Sequence, residues 1–323
     1  MVSLRGGVVF LAVIGAVYFD KRRINKPRPS LTRMEHPRHD IRNTNYFSIY
    51  EIFMKIGPLK YSSTAICASN AETILIRGHD LCEELIGQVG FTDYVWLLVE
   101  GKLPTPEQRR VLDSTLVAIA EHGLVPSVQV SRMTLAAAPE ALQGAVAAGI
   151  LGCGSVILGA AENAGRMFAA VEERARQPTV GLDAASREVL LEYNNAGRAV
   201  PGYGHPLHKG LDPRAAKLIA VSRQSNCAGR HVEISQIIEG LIPEVIGKPL
   251  VLNISGAIPA VLLDAGFPLL ALKGVPILAR TAGLIAHLLE EQQRPLGFAL
   301  SHAGASAIAY DGPAPDGFHA NDH

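Results

Sequence analysis

The sequence predicts close-packed helices rather than a β-sandwich, and three observations carry that expectation. Alanine, leucine, isoleucine and glycine dominate while aromatics make up only 6%. Apolar residues reach 48%, enough for a full core. Runs with apolar residues at helical spacing alternate with Gly and Pro stops. At 323 residues the chain has room for two domains or one large one. Formal net charge is zero, so the total points to neither nucleic acid nor an anionic membrane. Charge is uneven all the same: residues 1–57 hold ten Lys/Arg against four Asp/Glu, leaving 20 against 26 beyond them. Cys67, Cys82, Cys153 and Cys227 form no C-x-x-C pair and read as reduced, mostly buried side chains of a cytosolic protein. No metal site is expected, because the prolines and glycines around His205-x-x-His208 argue against a chelating helix.

Taken in order, residues 1–57 read as an N-terminal extension. Arg5 precedes fourteen mostly apolar residues, 6–19, and Asp20-Lys-Arg-Arg23 follows. A membrane-spanning helix needs about 20 apolar residues, and the charges after this run do not suit a cleavage site. One reading is a membrane anchor through residues 6–19. The preferred one starts translation downstream, at Met34 or Met54 for example, and leaves the segment outside the folded protein.

Thr64–Ile66 and Thr73–Asp80 then read as a short β-like pair, with Asp80 capping a helical segment that carries Leu81, Leu85 and Ile86. Residues 91–99 form a buried helix stopped at Gly101, and a capped restart follows at Thr105-Pro106. That helix uses Val111, Leu112, Leu116 and Ile119 and ends at Glu121-His122-Gly123. Small residues through 149–168 let other helices or a subunit partner approach the backbone.

The next stretch, Arg198-Ala-Val-Pro-Gly-Tyr-Gly-His-Pro-Leu-His-Lys-Gly-Leu-Asp-Pro-Arg214, packs six Gly/Pro, two imidazoles and three cations into seventeen residues. Pro201, Gly202 and Gly204 allow tight turning and close approach to a ligand, and Pro206 pushes His205 away from helical geometry. Asp212 is an N-cap candidate with Pro213 at the first helical position. Arg214 therefore lies in a first turn, where backbone N–H groups favour anions. Further on, the apolar run 250–256 leads into a helix over Ala257–Ala265. A helix from Pro276 then places apolar residues at 277, 278, 284, 285, 288 and 289. Arg280, His287 and Glu291 share one face of it, either as a solvated stripe or as a functional one.

P-G-Y-G-H followed nine residues later by the arginine of D-P-R resembles the citrate synthase superfamily. So do Ile76-Arg77-Gly78 and Gly101-Lys-Leu-Pro-Thr105. The resemblance covers roughly residues 58–310. It implies an all-α, two-domain citrate synthase-like fold: a large helical domain from 58–159 and 266–323, a small one from 160–265, and an active-site cleft between them. It also implies a homodimer. For the site, it implies that Val200, Pro201, Gly202, Tyr203 and Gly204 wrap the adenine end of coenzyme A. His205 would hydrogen-bond the carbonyl or hydroxyl oxygen of the acid substrate, and Arg214 would clamp a carboxylate. His122 matches a substrate-contacting histidine, the alternative being a helix C-cap cation. Arg280 corresponds to a carboxylate-binding arginine, and Arg294 to one that reaches across the dimer.

Two departures matter. Authentic synthases carry G-P-L-H-G-G where this chain has Gly154-Ser-Val-Ile157-Leu-Gly159. The missing histidine and the segment 159–168 resemble the citryl-CoA lyase module of ATP-citrate lyase and bacterial citryl-CoA lyases. Second, the family's N-[VI]-D-G aspartate is Ser255 here. Neutral serine is no general base without a partner, although it can cap the helix, and Asp264 is half a turn off in direction. The leading expectation is a cytoplasmic enzyme that makes or breaks the C–C bond between acetyl-CoA and an oxoacid such as oxaloacetate, through His205 and Ser255. The coenzyme A thioester would be substrate, with no permanently bound cofactor. The alternative is a catalytically impaired homologue that binds CoA or a polycarboxylate, and a third reading is a subunit completed by a partner.

Overall fold

The computed structural model describes residues 63–154, 158–204 and 210–318. The extension 1–57, Ile157 and His205 lie outside the described residues. Among those described, a small sheet precedes eleven α-helices, in keeping with the all-α expectation. β1 (Cys67–Ser69), β2 (Ile74–Ile76) and β3 (His79–Asp80) pair antiparallel in that order, Cys67 facing Ile76 and Leu75 facing Asp80. The first strand thus begins at Cys67, not Thr64. Asn70 explains the shift: its Oδ1 accepts from the N–H groups of Glu72 and Thr73 at 2.9 and 2.8 Å, and that turn sets the register. Asp80 does cap the next helical turn, accepting from the N–H groups of Cys82 and Glu83. Cys67 and Cys82 are exposed, contrary to expectation, because all of β1 and most of the helical turn after β3 lie at the surface, while Cys153 is buried.

Helix α1 (Phe91–Glu100) stops at Gly101, whose φ of 77° provides the left-handed cap. Thr105 and Gln108 then form a reciprocal capping box for α2 (Pro106–Ala120). Helices α3 (Pro126–Ala137), α4 (Leu142–Leu151), α5 (Gly159–Arg174), α6 (Leu182–Asn195), α7 (Pro213–Gln224) and α8 (Arg230–Ile246) follow. Next come α9 (Ile254–Asp264), α10 (Gly274–Gln293) and α11 (Gly297–Ala307).

α9 is apolar all round and is the central helix: Gly256 through Leu262 are all buried, packed against α5, α7, α8 and α2. Close approach to it needs small residues. At Gly165 on α5 a Cβ would meet Leu272 Cδ1 at 2.6 Å and Pro259 Cβ at 3.2 Å. α9 starts at Ile254 rather than Ala257, because Asn253, not Ser255, is its cap, accepting from the Ser255 N–H at 2.9 Å. Asp264 at its other end turns away to cap α8. It accepts from the N–H groups of Gly229, His231 and Val232 and from the His231 ring at 2.8 Å.

α10 buries Pro276, Arg280, Leu284, Leu288 and Glu291 and leaves Ile285 and Leu289 exposed, so its buried face is narrower than the apolar count suggests. The solvated-stripe reading is overturned, since Arg280 and Glu291 are only 8% and 4% exposed. Glu291 accepts from Arg132 Nε at 2.6 Å and from the N–H groups of Leu296 and Gly297, tying α3 to the start of α11. By length and composition Leu269–Gln293 could cross a membrane, but 44% of its apolar window is buried inside this fold.

Candidate functional site

A cavity of about 170 Å³ opens where α2 ends and where α5, α7, α9 and α10 begin. Its lining includes His122, Arg214, Asn253, Ser255 and Arg280, floored by Ile119, Ile254, Ile258 and Pro276. At that size it suits a small acid rather than a drug-sized ligand, which takes about 300–1,000 Å³. Several helix N-termini facing one cavity bias it toward anions. Among its described lining residues there is no Asp or Glu.

Each polar group is placed by a local device. Arg280 lies on the second turn of α10, and its Nε and Nη1 are buried with no hydrogen-bond partner among the described residues. An unpartnered buried guanidinium is costly, and a carboxylate entering the cavity would satisfy it bidentately. Arg214 is in the first turn of α7, as its D-P-R context predicts. Its Nε and Nη2 donate to Asp212 at 3.1 and 3.0 Å, so half its fork is already held and the guanidinium plane is set. Asp212 is fully buried. Burial opposes its ionisation, but the Arg214 guanidinium and the N–H groups of Ile254 and Arg214 outweigh that and hold its carboxyl below the usual range. The same carboxylate caps α7 and accepts from the first N–H of α9 at 3.0 Å, locking the two helix starts together.

His122 follows the end of α2. The C-cap position itself is Glu121, which places His122 one residue beyond it. Ser255, at the second position of α9, lines the cavity, and no described carboxylate accompanies it there.

The glycine loop is docked on the approach to α9. Gly204 N–H donates to Val251 O at 2.7 Å, Asn253 N–H to Gly202 O at 2.9 Å and Asn253 Nδ2 to Gly204 O at 2.6 Å. Gly202, with φ of 85°, lies against Gly256 so closely that a Cβ would sit 2.6 Å from the Gly256 Cα. The close approach this glycine permits is to α9. Val200 and Tyr203 point into the core, and the Tyr203 hydroxyl donates to Ser235 O at 2.7 Å. Burial raises that phenol well above its ordinary pKa.

The structure therefore brings together His122, Arg214, Ser255 and Arg280, four residues singled out in sequence. It does not bring in Arg294, whose side chain is 81% exposed and 3.7 Å from Glu290. His205 lies outside the described residues, although Gly204 before it is tied to Asn253. Sequence reading missed Asn253 and Asp212 as site residues. Their signal was the Asn and Asp immediately preceding two helix starts.

Comparison with known proteins agrees with this architecture. A citryl-CoA lyase from Hydrogenobacter thermophilus superposes with a TM-score of 0.69 at 30% identity, over 80% of this chain and 97% of that one. An ATP citrate lyase from Methanothrix soehngenii, solved with citrate and coenzyme A, superposes with a TM-score of 0.63. At 22% identity, over 91% of this chain and 47% of that one, it supports the fold alone. A citrate synthase of Haloferax volcanii is 30% identical over 67% of this chain and 55% of its own length. The chain spans about half the length of the curated relatives it matches. Residues 104–297, more than half of the chain, match the family described as citrate synthase, C-terminal domain, and the chain belongs to that family.

Proposed function

We propose that the chain is a citryl-CoA lyase-like enzyme. It would make or break the C–C bond between an acetyl-CoA unit and an oxoacid such as oxaloacetate. The carrying observation is Arg280, whose Nε and Nη1 are buried without a hydrogen-bond partner among the described residues, in a cavity shared with Arg214 and His122. Such a set suits a small acid with several carboxylates. The lyase over synthase preference is supported by a lyase neighbour that the chain covers almost completely. It is supported too by the absence of the synthase histidine at Ile157.

In cleavage, the tertiary hydroxyl gives up its proton and its electron pair forms the ketone. The C–C bond breaks, and the thioester enolate left behind takes a proton at its α-carbon. His205 would receive the hydroxyl proton, Arg214 and Arg280 would hold carboxylates, and the backbone of Val200–Gly204 would meet coenzyme A as substrate. The cavity draws its lining from both expected domains, 58–159 with 266–323 and 160–265, which suits a cleft between them. A cytoplasmic homodimer, with Arg294 reaching toward the partner subunit, completes the reading.

A second reading rests on one observation. Ser255 stands where the family's aspartate moves the α-carbon proton, Asp264 is engaged in capping α8, and Asp212 is clasped by Arg214. Loss of a general base costs about 10²–10⁴-fold, which would leave a polycarboxylate- or CoA-binding homologue. Acetyl-CoA release from citryl-CoA separates the two, measured on the full chain beside His205→Ala and Ser255→Asp. Turnover by wild type and its loss in His205→Ala support the lyase. Turnover by Ser255→Asp alone supports the binding homologue, and no turnover and no citrate binding in any form defeats both.

A further inference from the structure

The start of α10 supplies Arg280 to the cavity, and about two turns later on the same helix His287 contacts Glu121, the residue before the cavity-lining His122, a contact that no expected role covers. His287 Nε2 lies 2.9 Å from Glu121 Oε2. The other oxygen of Glu121 accepts from the backbone N–H of His122 at 2.8 Å and from that of Gly123. On its far side, His287 Nδ1 faces Arg132 Nη1 at 3.4 Å. A guanidinium only donates, so Nδ1 is the accepting nitrogen and the ring proton sits on Nε2, directed at Glu121. Arg132 is itself immobilised by Glu290, Glu291 and the Arg294 carbonyl, with 0% exposure. Gly283 lets α10 reach this point, since any Cβ there would collide with Ala120 O and crowd Glu121 Oε2.

We infer that Glu121 and His287 are positioning residues for the anion cavity: the chain Arg132–His287–Glu121 holds the 121–123 turn and thereby His122. One helix would then provide one cavity cation directly and fix the turn that carries a cavity imidazole. The inference rests on the reading of the cavity as an anion site. Burial works against the Glu121 charge, but His287 and the two backbone N–H groups hold its carboxyl below the usual range, consistent with an ionised acceptor.

The test uses the full chain and two readouts. Hydrogen exchange at the His122 and Gly123 amides, without ligand, reads the hold itself. It should quicken about tenfold or more in His287→Ala, the scale expected for losing a hydrogen bond to a charged group, and stay near wild type in His287→Gln, which retains a donor. Citrate titration by calorimetry should show about tenfold weaker binding in His287→Ala and Glu121→Gln, with His287→Gln within about twofold of wild type. Unchanged exchange in His287→Ala overturns the inference whatever the cavity binds. Faster exchange with unchanged citrate affinity also overturns it, because the contact is then structural only. Failure of His287→Gln to restore both readouts does the same, and this variant decides the question if His287→Ala does not fold. If wild type binds no citrate while exchange behaves as stated, the functional reading fails and the positioning of the turn stands.

Discussion

Arg280→Met should make the ligand-free protein more stable and abolish its response to citrate. In the free cavity Arg280 Nε and Nη1 have no partner among the described residues and the side chain is only 8% exposed. A buried unsatisfied polar group costs about 1–3 kcal/mol, and replacing buried charge by a similar apolar volume is neutral or stabilising by up to about 4 kcal/mol. A net gain on the order of 2 kcal/mol is expected, visible as a higher urea midpoint at unchanged slope. Citrate at a hundredfold excess over its dissociation constant adds about 2.7 kcal/mol to a binding-competent protein and nothing to one that does not bind. Wild type should therefore be the less stable protein without citrate and draw level or ahead with it. A lower midpoint for Arg280→Met in the absence of citrate would refute the reasoning, because Arg280 would then be a satisfied structural cation.

His231 lies between Asp264 and Glu172. Burial lowers its pKa, but the two carboxylates outweigh that and raise it from 6.5 to about 9. A raised folded-state pKa means stability present in full below about 6.5 and lost as pH climbs through about 9. The stability advantage of wild type over His231→Gln should shrink by about 1–3 kcal/mol across that window, and equal differences at about pH 6 and about pH 10 would contradict it. Gly202→Ala combines a left-handed φ of 85° with a Cβ 2.6 Å from the Gly256 Cα. It should cost about 2–5 kcal/mol and lower the melting temperature by roughly 5–15 °C. A melt within about a degree of wild type would show that the loop shifts without strain.

The helices were legible wherever a stop signal and a periodic run coincided. Gly101, the Thr105-Pro106 restart and Asp212-Pro213 all mark real boundaries, because capping is chemistry between neighbours in sequence. Where two signals competed, the nearer backbone won. Asn253 and Ser255 are both competent caps. Asn253 takes the role because its N–H and side-chain amide are also engaged by Gly202 O and Gly204 O, contacts from about fifty residues away that no local pattern announces. The α10 face shows the same limit: in sequence it reads as either solvated or functional, and only the arrival of Glu121 and Arg132 from elsewhere in the chain pairs His287 and Glu291 on it.

The same distinction bears on what Ser255 means. An aspartate in its place would face a cavity holding two guanidinium groups and several helix starts, an environment that depresses a carboxyl pKa and favours its charged form. Serine adds no charge of its own to a field that Asp212 offsets only at Arg214, and under the proposed function this would favour holding a polycarboxylate over proton transfer. The nearby carboxylates do not repair the loss. Asp264 is spent on four donors around α8, and Asp212 on Arg214 and the start of α9. Under the proposed function, the group that moves a proton at the thioester's α-carbon would come from outside the described lining of this cavity. For that reason Ser255→Asp, rather than any loss-of-function variant, is the substitution whose gain or absence of gain separates a lyase from a binder.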